Sequence, residues 1–405
     1  MFDLSLEEFS NDSFFARKDA FTQIVRFGNG ISKSVADYAK SLGSHALLVT
    51  DPGVRKAGHV DVVSKLMESS GIQVTIYDKS VENPTESSVQ RCVEVADSAG
   101  IDLILGLGGG SSMDTAKGCN FVLTNGGTME DYWGIDKATK PMHPLIAIPT
   151  TAGTGSECQS FALISKDDTH LKMACGDRKA LPRVTLLDPE LTLSQPLRVS
   201  ACTGIDALAH ALESAVTKKR SEDSNRHAKI AFQLLNHSLP IIFKDPNDLT
   251  ARGGAQLGAS HAGAAIEKSM LGAAHSMANP LTAKYGTIHG VAVGLALPLV
   301  MEFNSTDQTS MNIYSEFAKV AQLSALEESS ENACNSLINR VKVLLGMARF
   351  QVESEQAGFD SNDIPELASE AAKQWTAGFN PRSIEVNDFE VLYQKLFHSF
   401  ARELV

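Results

Sequence analysis

The second half of the chain contains one aspartate and three histidines that could together bind a metal ion. Asp206 and His210 are four residues apart in TGIDALAHALES. His275 lies in GAAHSMANP, and His289 lies in YGTIHGVAVG. On a helix, a separation of four residues places two side chains on one face. Three imidazoles and one carboxylate suit Fe²⁺ and Zn²⁺ alike, so these residues are candidate ligands of one divalent ion.

Spacing alone does not distinguish such a site from ordinary histidines. A single histidine in an alanine-rich helix is more often a core or surface residue, and an Asp–His pair at this spacing also arises by chance. Pro280 and Gly286 separate His275 from His289, and both residue types interrupt helices. We therefore expect a turn between these two histidines that brings the second one back toward the first.

A glycine-rich segment in the first half has features of a phosphate-binding loop. The apolar run IDLILG is followed by LGGGSSMDTAK, residues 107–117, in which three glycines precede a predicted helix. Backbone without side chains can approach a pyrophosphate closely, and a helix N-terminus supplies N–H donors. The segment matches neither GxGxxG nor a Walker A loop, and a structural turn is the alternative. Its position between a strand and a helix favours dinucleotide binding.

Two further segments follow predicted strands and extend the candidate nucleotide site. Asp51 ends the run ALLVT. An acidic residue there can accept hydrogen bonds from ribose hydroxyls and repel a 2′-phosphate, which favours NAD over NADP. A solvated turn-forming aspartate is the alternative. The segment IPTTAGTGSE, residues 148–157, places small and hydroxyl side chains after another strand. It suits further phosphate or ribose contacts, with a flexible loop as the alternative.

The elements that position these residues follow two different patterns. In the first half, short apolar runs alternate with amphipathic helical stretches, which predicts a doubly wound parallel sheet. The predicted strands cover residues 46–50, 74–77, 101–106 and 145–149, with 161–165 and 183–187 as further candidates, and the predicted helices cover 54–70 and 87–98. In the second half, the predicted helices cover residues 202–217, 227–243, 249–274, 311–322, 328–347, 364–376 and 388–401. We therefore predict an α/β dinucleotide-binding domain over residues 1–194 and an all-helical domain over residues 195–405.

Composition limits the classes of partner. The net charge of −12 argues against a nucleic-acid-binding surface, which needs clustered Lys and Arg. No apolar run approaches the roughly 18 residues that span a membrane. The six cysteines form no CxxC pair, and the N-terminal segment lacks the pattern of a secretory signal. We expect a cytoplasmic protein that binds neither nucleic acid nor membrane.

Four motifs together carry a resemblance to a known family. GGGSSMDTAK, IPTTAGTGSE, TGIDALAHALES and AHSMANP followed by GTIHG, in this order, resemble the iron-containing (group III) alcohol dehydrogenase family. The resemblance extends from about residue 27 to residue 382. It implies a dehydroquinate synthase-like fold, a homodimer, an alcohol or aldehyde substrate, Fe²⁺ with Zn²⁺ as the alternative, and NAD with NADP as the alternative.

The resemblance also assigns roles to individual residues. Asp206, His210, His275 and His289 fall on the metal-ligand positions of the family. Its cofactor-binding positions correspond to Asp51, Gly109, Gly110, Ser111, Asp114, Thr150, Thr151, Thr154 and Lys172. The implied reaction transfers a hydride between NAD(P) and the substrate, with the metal acting as a Lewis acid on the substrate oxygen.

Two departures from the family pattern leave the substrate and the proton path open. Many relatives carry a further histidine four residues after the third ligand, where this chain has Asn279. We expect Asn279 to line the pocket as a catalytic-site residue that contributes no pKa to activity. Lys268, in the segment IEKS, suggests an acidic substrate such as a phosphonate or sugar-acid aldehyde, with an exposed helical Glu–Lys pair as the alternative. A non-catalytic scaffold that binds NAD and metal is the remaining alternative.

Overall fold

The computed structural model of the protein describes residues 6–10, 22–169, 171–350 and 358–401. The chain divides into two compact units, Met1–Gln195 and Pro196–Val405. The described strands all belong to the first unit, and the second unit is built from helices. The predicted fold class, an α/β unit followed by a helical unit, is confirmed.

Most strands of the first unit form one parallel sheet. The described strands are β1 (Ile24–Phe27), β2 (His45–Val49), β3 (Gln73–Tyr77), β4 (Leu103–Gly108), β5 (Gly134–Ile135), β6 (Leu145–Pro149), β7 (Phe161–Ser165), β8 (Lys172–Gly176) and β9 (Val184–Leu187). Six of them pair in the order β1-β9-β6-β4-β2-β3, and every neighbouring pair in this sheet is parallel. Parallel neighbours cannot be joined by a tight hairpin, so each connection is a longer crossover, usually through a helix.

Helices lie on both faces of this sheet. The first unit contains α1 (Leu6–Phe9), α2 (Val35–Ala39), α3 (Pro52–Lys56), α4 (His59–Ser69), α5 (Glu86–Ala99), α6 (Gly110–Asn125) and α7 (Pro189–Thr192). Leu47 and Val49 of β2 pack into one apolar cluster with residues of α5 and α6. Ala46 and Leu48 pack into another with residues of α2 and α4. Because successive strand residues point to opposite faces, burial on both sides explains why these strands are apolar throughout.

The structure corrects two predicted elements of the first unit and adds a strand that was not predicted. Residues 161–165, a candidate strand of the parallel sheet, instead form β7 of a second sheet with the order β5-β8-β7. β7 and β8 are antiparallel, since their short connection cannot hold a parallel crossover. The predicted helix over residues 54–70 is two helices, α3 and α4, separated around Gly58. The edge strand β1 was not predicted because four residues carry too little periodicity.

The second unit contains nine described α-helices. They are α8 (Leu197–Ser214), α9 (Glu222–Lys244), α10 (Leu249–Glu267), α11 (Ala273–Tyr285), α12 (His289–Asn304), α13 (Gln308–Val320), α14 (Ser330–Met347), α15 (Ile364–Lys373) and α16 (Val386–Ala401). The single helix predicted over residues 249–274 is wrong, because α10 ends at Glu267 and α11 starts at Ala273. Helix α12 was not predicted because Gly294 and Pro298 interrupt its apolar run. Burial on nearly all sides stabilises it nonetheless.

Within the residues that the structure describes, no helix is both long and apolar enough to cross a membrane.

Helix α12 lies directly against the backbone of α8. A Cβ atom on Gly290 would lie 2.2 Å from the carbonyl oxygen of Cys202, and one on Gly294 would lie 2.8 Å from Cγ2 of Ile205. The first contact is with backbone, which cannot rotate aside as a side chain can. The absence of a side chain at residue 290 therefore sets the distance between the two helices.

Replacing Gly290 with alanine should push α12 away from α8. We expect the G290A variant to lose about 3 kcal/mol of unfolding free energy, as overpacked cores do. Thermal and denaturant unfolding followed by circular dichroism would measure the loss. The control is G346A on α14, where the new Cβ would have no atom within 4 Å. Since alanine favours helix over glycine, G346A should gain about 0.5–1 kcal/mol. Equal stability of G290A and the wild type would contradict the close packing.

Candidate metal centre and nucleotide loops

Three helices of the second unit supply the four candidate metal ligands. Asp206 and His210 lie one turn apart on α8. His275 lies in the first turn of α11, and His289 is the first residue of α12. The predicted turn between these two histidines is present, and the left-handed Gly286 ends α11 there. Pro280 does not contribute to the break, because α11 continues through it.

The four side chains converge on one carboxylate oxygen. The Nε2 atoms of His210 and His275 each lie 3.4 Å from Oδ1 of Asp206, and Nε2 of His289 lies 3.9 Å from the same atom. Asp206, His210 and His275 each offer a ligand atom within 4.8 Å of the other two. Two ligand atoms of a tetrahedral ion at metal–ligand distances of about 2.0–2.2 Å are about 3.4 Å apart. The spacing therefore fits a common ion without large rearrangement.

Buried polar atoms in this cluster support the same conclusion. Asp206, His210 and His275 are buried, whereas the His289 side chain is 28% exposed. Oδ1 of Asp206 and Nε2 of His275 form no hydrogen bond with the described residues. Leaving a buried polar atom unsatisfied costs about 1–3 kcal/mol. A divalent cation coordinated by both atoms would remove that cost, and carboxylate and imidazole are suitable ligands for iron or zinc. The residues present therefore fit a metal ion.

The electrostatics of the cluster are strongly coupled. Burial by itself would raise the pKa of Asp206, but His210, His275 and His289 together hold that pKa well below its usual range. Burial would lower the pKa of His275, but the carboxylates of Glu213 and Asp206 outweigh it and raise the pKa to about 9. A positive charge next to Asp206 is thus favoured in the protein, and a bound metal ion would supply it.

Glu213 is part of this cluster, although it was not predicted from the sequence. It lies on α8 and is 3% exposed. Its Oε1 accepts a hydrogen bond of 2.7 Å from the backbone N–H of Ala274, and its Oε2 accepts one from Nδ1 of His275. One feature of the sequence could have indicated that Glu213 lies near the candidate ligands. Glu213 follows Asp206 by seven residues, or two helical turns, and so occupies the same face of α8.

Asn279 and Lys268, the two residues that depart from the family pattern, each contact another polar side chain in the structure. Asn279 lies on α11 one turn after His275, is partly buried, and donates from Nδ2 to Oε1 of Gln374 at 2.9 Å. The Nζ atom of Lys268 lies 2.5 Å from Oδ2 of Asp223. Because Asp223 already pairs with the Lys268 ammonium, the structure argues against the acidic-substrate alternative.

In the first unit, the glycine loop and the threonine loop lie side by side. β4 ends at Gly108, and α6 begins at Gly110, with Gly109 as an N-cap that makes no side-chain bond. β6 neighbours β4, and the backbone N–H of Thr150 donates to the carbonyl oxygen of Gly108 at 3.0 Å. A Cβ on Gly110 would lie only 2.6 Å from Cγ2 of Thr154. Glycine at this position therefore allows the two loops to touch.

Asp51 lies beside the glycine loop, because its strand β2 pairs with β4. Its Oδ1 accepts hydrogen bonds from the backbone N–H groups of Gly53 and Val54 and so caps α3. Its Oδ2 accepts a hydrogen bond of 3.2 Å from the hydroxyl of Ser112. Asp51 therefore caps the turn at the start of α3, and it also lies next to the candidate phosphate loop.

Three further predicted cofactor residues are Ser111, Thr151 and Lys172. Ser111 is in the first turn of α6, and Lys172 is the first residue of β8. A Cβ on Gly109 would lie 3.2 Å from Cγ2 of Thr151. The structure thus brings residues from the carboxyl ends of β2, β4 and β6 to one edge of the sheet. Whether each of them binds a cofactor stays a prediction.

Asp114 belongs to a buried hydrogen-bond network that connects the helix after the glycine loop with the end of the threonine loop. Its Oδ1 accepts a 2.8 Å hydrogen bond from the hydroxyl of Ser156. The fully buried Lys117 donates from Nζ to the carbonyl and hydroxyl oxygens of Ser156 and to the carbonyl oxygen of Phe161. Burial raises the pKa of Asp114, against the opposing effect of Lys117 and Lys172. Lys117 was not predicted from the sequence, although it ends the motif GGGSSMDTAK.

Comparison with known sequences identifies the family. The sequence profile of the iron-containing alcohol dehydrogenase family matches residues 22–189, and the profile of the C-terminal part of that family matches residues 200–397. The chain belongs to this family. The resemblance predicted from the four motifs is thereby confirmed, and so is the enzyme class, an oxidoreductase acting on CH–OH groups.

Individual relatives resemble nearly the whole chain. Alcohol dehydrogenase 4 of Schizosaccharomyces pombe is 33% identical over 88% of this chain and 83% of its own length. The NAD-dependent methanol dehydrogenase of Bacillus methanolicus is 34% identical over 89% of this chain and 94% of its own. Among solved structures, a 1,3-propanediol oxidoreductase superimposes with a TM-score of 0.89 at 30% identity, over 92% of this chain and 98% of its own.

Removing the buried ammonium of Lys117 should destabilise the protein strongly. The K117M variant keeps the length of the side chain but leaves Asp114 and Ser156 without their cation. Breaking a buried charge network in this way costs about 3–5 kcal/mol, which urea unfolding would measure. The control is K33M, since the exposed Lys33–Glu190 pair at 3.6 Å should contribute less than about 1 kcal/mol. Equal effects of the two variants would contradict the structural role of Lys117.

Proposed function

We propose that the protein is a metal-dependent alcohol dehydrogenase and aldehyde reductase that transfers a hydride between NAD and a small alcohol or aldehyde. The observation that carries the proposal is the convergence of four metal-ligating side chains on Oδ1 of Asp206. Relatives named for methanol, lactaldehyde and 1,3-propanediol support a small substrate. The acidic-substrate and non-catalytic alternatives are not favoured by these names.

The proposed metal site consists of Asp206, His210, His275 and His289. Fe²⁺ is the proposed ion because the family is named for iron, and Zn²⁺ is the alternative because both ions accept this donor set. A divalent ion held by these residues would supply a Lewis acid for the oxygen of the alcohol or aldehyde. The protein contributes a preformed arrangement of the four side chains around one carboxylate oxygen.

Asn279 is the proposed substrate-facing residue. It lies one turn after His275 on the same face of α11, and its amide is held by Gln374. An amide can orient a hydroxyl or a water molecule but does not titrate near neutral pH. We therefore propose that Asn279 positions the substrate and that the reaction proton leaves by another path.

The proposed cofactor site consists of the two loops and Asp51. The first turn of α6 supplies backbone N–H groups that can bind a pyrophosphate, and residues 150–154 add backbone and hydroxyl groups. Ser111, Asp114 and Lys172 complete the proposed set. The carboxylate of Asp51 would favour NAD over NADP, because it repels a 2′-phosphate.

We also propose a cytoplasmic homodimer. The dimer rests on the family resemblance alone. The cytoplasmic location is supported by the six cysteines, which are all buried and not paired in disulfides, as is usual in a reducing compartment.

Metal binding and turnover should depend on the same side chains. We expect the wild type, reconstituted anaerobically with Fe²⁺, to retain about one ion per chain and to reduce small aldehydes with stoichiometric NADH consumption. The H275A variant should lose both the ion and the activity. Elemental analysis and absorbance at 340 nm would measure the two effects. H237A, which removes an exposed histidine of α9, should change neither. Full activity of a metal-free wild type would contradict the proposal.

The charge of Asp51 should set the choice of cofactor. D51S keeps a side chain that can cap α3 but removes the negative charge next to the glycine loop. We expect the ratio of kcat/KM for NADPH to that for NADH to rise about tenfold or more, since removing one close repulsion is worth about 1–2 kcal/mol. D61S is the control, because the Asp61 carboxylate is 73% exposed on α4. An unchanged ratio in D51S would show that this residue does not discriminate between the cofactors.

A further inference from the structure

The environment of His275 determines which of its two ring nitrogens can bind a metal. We infer that Glu213 is a positioning residue that fixes the tautomer of the metal-bound His275 ring, holding its single proton on Nδ1 so that Nε2 gives its lone pair to the ion. This inference rests on the proposed function, because it assumes that His275 is a ligand. It goes further in assigning a second buried carboxylate to the site.

The contacts of Glu213 use both of its oxygens. Oε1 accepts from the backbone N–H of Ala274, and Oε2 accepts from Nδ1 of His275. One carboxylate on α8 therefore binds two consecutive residues in the first turn of α11. The opposite nitrogen of the same ring, Nε2, lies 3.4 Å from Oδ1 of Asp206 and makes no hydrogen bond with the described residues. The ring thus lies between two carboxylates: Glu213 accepts a hydrogen bond from Nδ1, and Asp206 is the candidate co-ligand near Nε2.

Both oxygens of the residue at position 213 must accept a hydrogen bond if the backbone N–H of Ala274 and Nδ1–H of His275 are both to have a partner. A carboxylate accepts at each oxygen, whereas a glutamine amide has one oxygen and one NH₂ group that only donates. In an E213Q variant, one of the two donors would therefore face the NH₂ group. The backbone N–H of Ala274 cannot rearrange, but a neutral imidazole can move its proton from Nδ1 to Nε2. The amide oxygen would then accept from Ala274, and Nδ1 of His275 would accept from the NH₂ group.

This rearrangement would satisfy every hydrogen bond and still disable the metal site. With its proton on Nε2, the ring has no lone pair directed toward Asp206. The inference therefore separates stability from metal affinity. If Glu213 served only to cap α11, the amide oxygen of E213Q would still accept from the N–H of Ala274, and the metal affinity would be unchanged. If it fixes the tautomer, the metal-free protein should remain stable while the affinity falls.

Co²⁺ binding to wild type and E213Q would test the inference. Co²⁺ is a suitable probe because its visible spectrum reports the ligand geometry. We expect the metal-free melting temperatures to agree within about 3 °C and the Co²⁺ affinity of E213Q to fall about 10- to 100-fold, the usual effect of losing the hydrogen-bond partner of a metal-bound histidine. The intensity of the Co²⁺ bands should change as well.

The matched control is D307N in the same unit. Asp307 accepts two hydrogen bonds at its Oδ2 atom, from the N–H and the hydroxyl of Ser310, and caps α13. Its replacement removes one negative charge and one acceptor oxygen, as E213Q does, and should leave Co²⁺ affinity unchanged. Equal Co²⁺ affinity of E213Q and wild type would overturn the inference alone. Failure of the wild type itself to bind Co²⁺ would overturn the proposed function as well.

A measurement on the wild type avoids any dependence on the folding of E213Q. In protein labelled with ¹⁵N-histidine and loaded with Zn²⁺, two-bond nitrogen–proton correlations distinguish a protonated Nδ1 from a metal-bound one. The signals of His275 are those absent from an H275N spectrum. We expect a proton on Nδ1 and the ion on Nε2. A proton on Nε2 with the ion on Nδ1 would overturn the inference.

Discussion

The candidate metal centre depends on how closely three helices can approach one another. Ligands that share one ion must lie within about 4 Å of each other, although their helices carry backbones and side chains that occupy space. Gly290 removes the obstacle between α12 and α8, where any Cβ would collide with the carbonyl oxygen of Cys202. The next residue toward the N-terminus is His289, and the next turn of α8 carries Asp206. The helix contact and the ligand contact are therefore parts of one packing arrangement.

Compensation of buried charge is a second requirement, and both units meet it. In the second unit, the buried carboxylates of Asp206 and Glu213 lie on either side of the His275 imidazole, which can carry a positive charge. In the first unit, the fully buried Lys117 is surrounded by oxygen atoms of Ser156 and Phe161 and lies near Asp114. A buried charge without such partners would cost several kcal/mol. Each network joins elements that are distant in sequence, and so stabilises the arrangement of the loops or helices that carry the candidate site.

Parallel strand order explains why the candidate nucleotide-binding residues meet. Asp51, the glycine loop and the threonine loop follow β2, β4 and β6, which are neighbours in the sheet. Since parallel strands end at the same edge, residues separated by about fifty positions in the chain become adjacent. The contacts between Ser112 and Asp51 and between Gly110 and Thr154 are consequences of this order.

The sequence by itself determined the class of fold, the family and the candidate ligands, because apolar periodicity and four ordered motifs are local properties of the chain. It also indicated the turn between His275 and His289, since Gly286 is a local signal. It missed α12, because burial on nearly all sides stabilises a helix that contains glycine and proline, and it placed the end of α10 too far along the chain. Only the tertiary structure decided that Glu213 contacts His275, that Lys117 and Asp114 fasten the loops, and that Lys268 is paired with Asp223. Those contacts join residues from different elements, and no local pattern in the chain specifies which side chains will share a buried position.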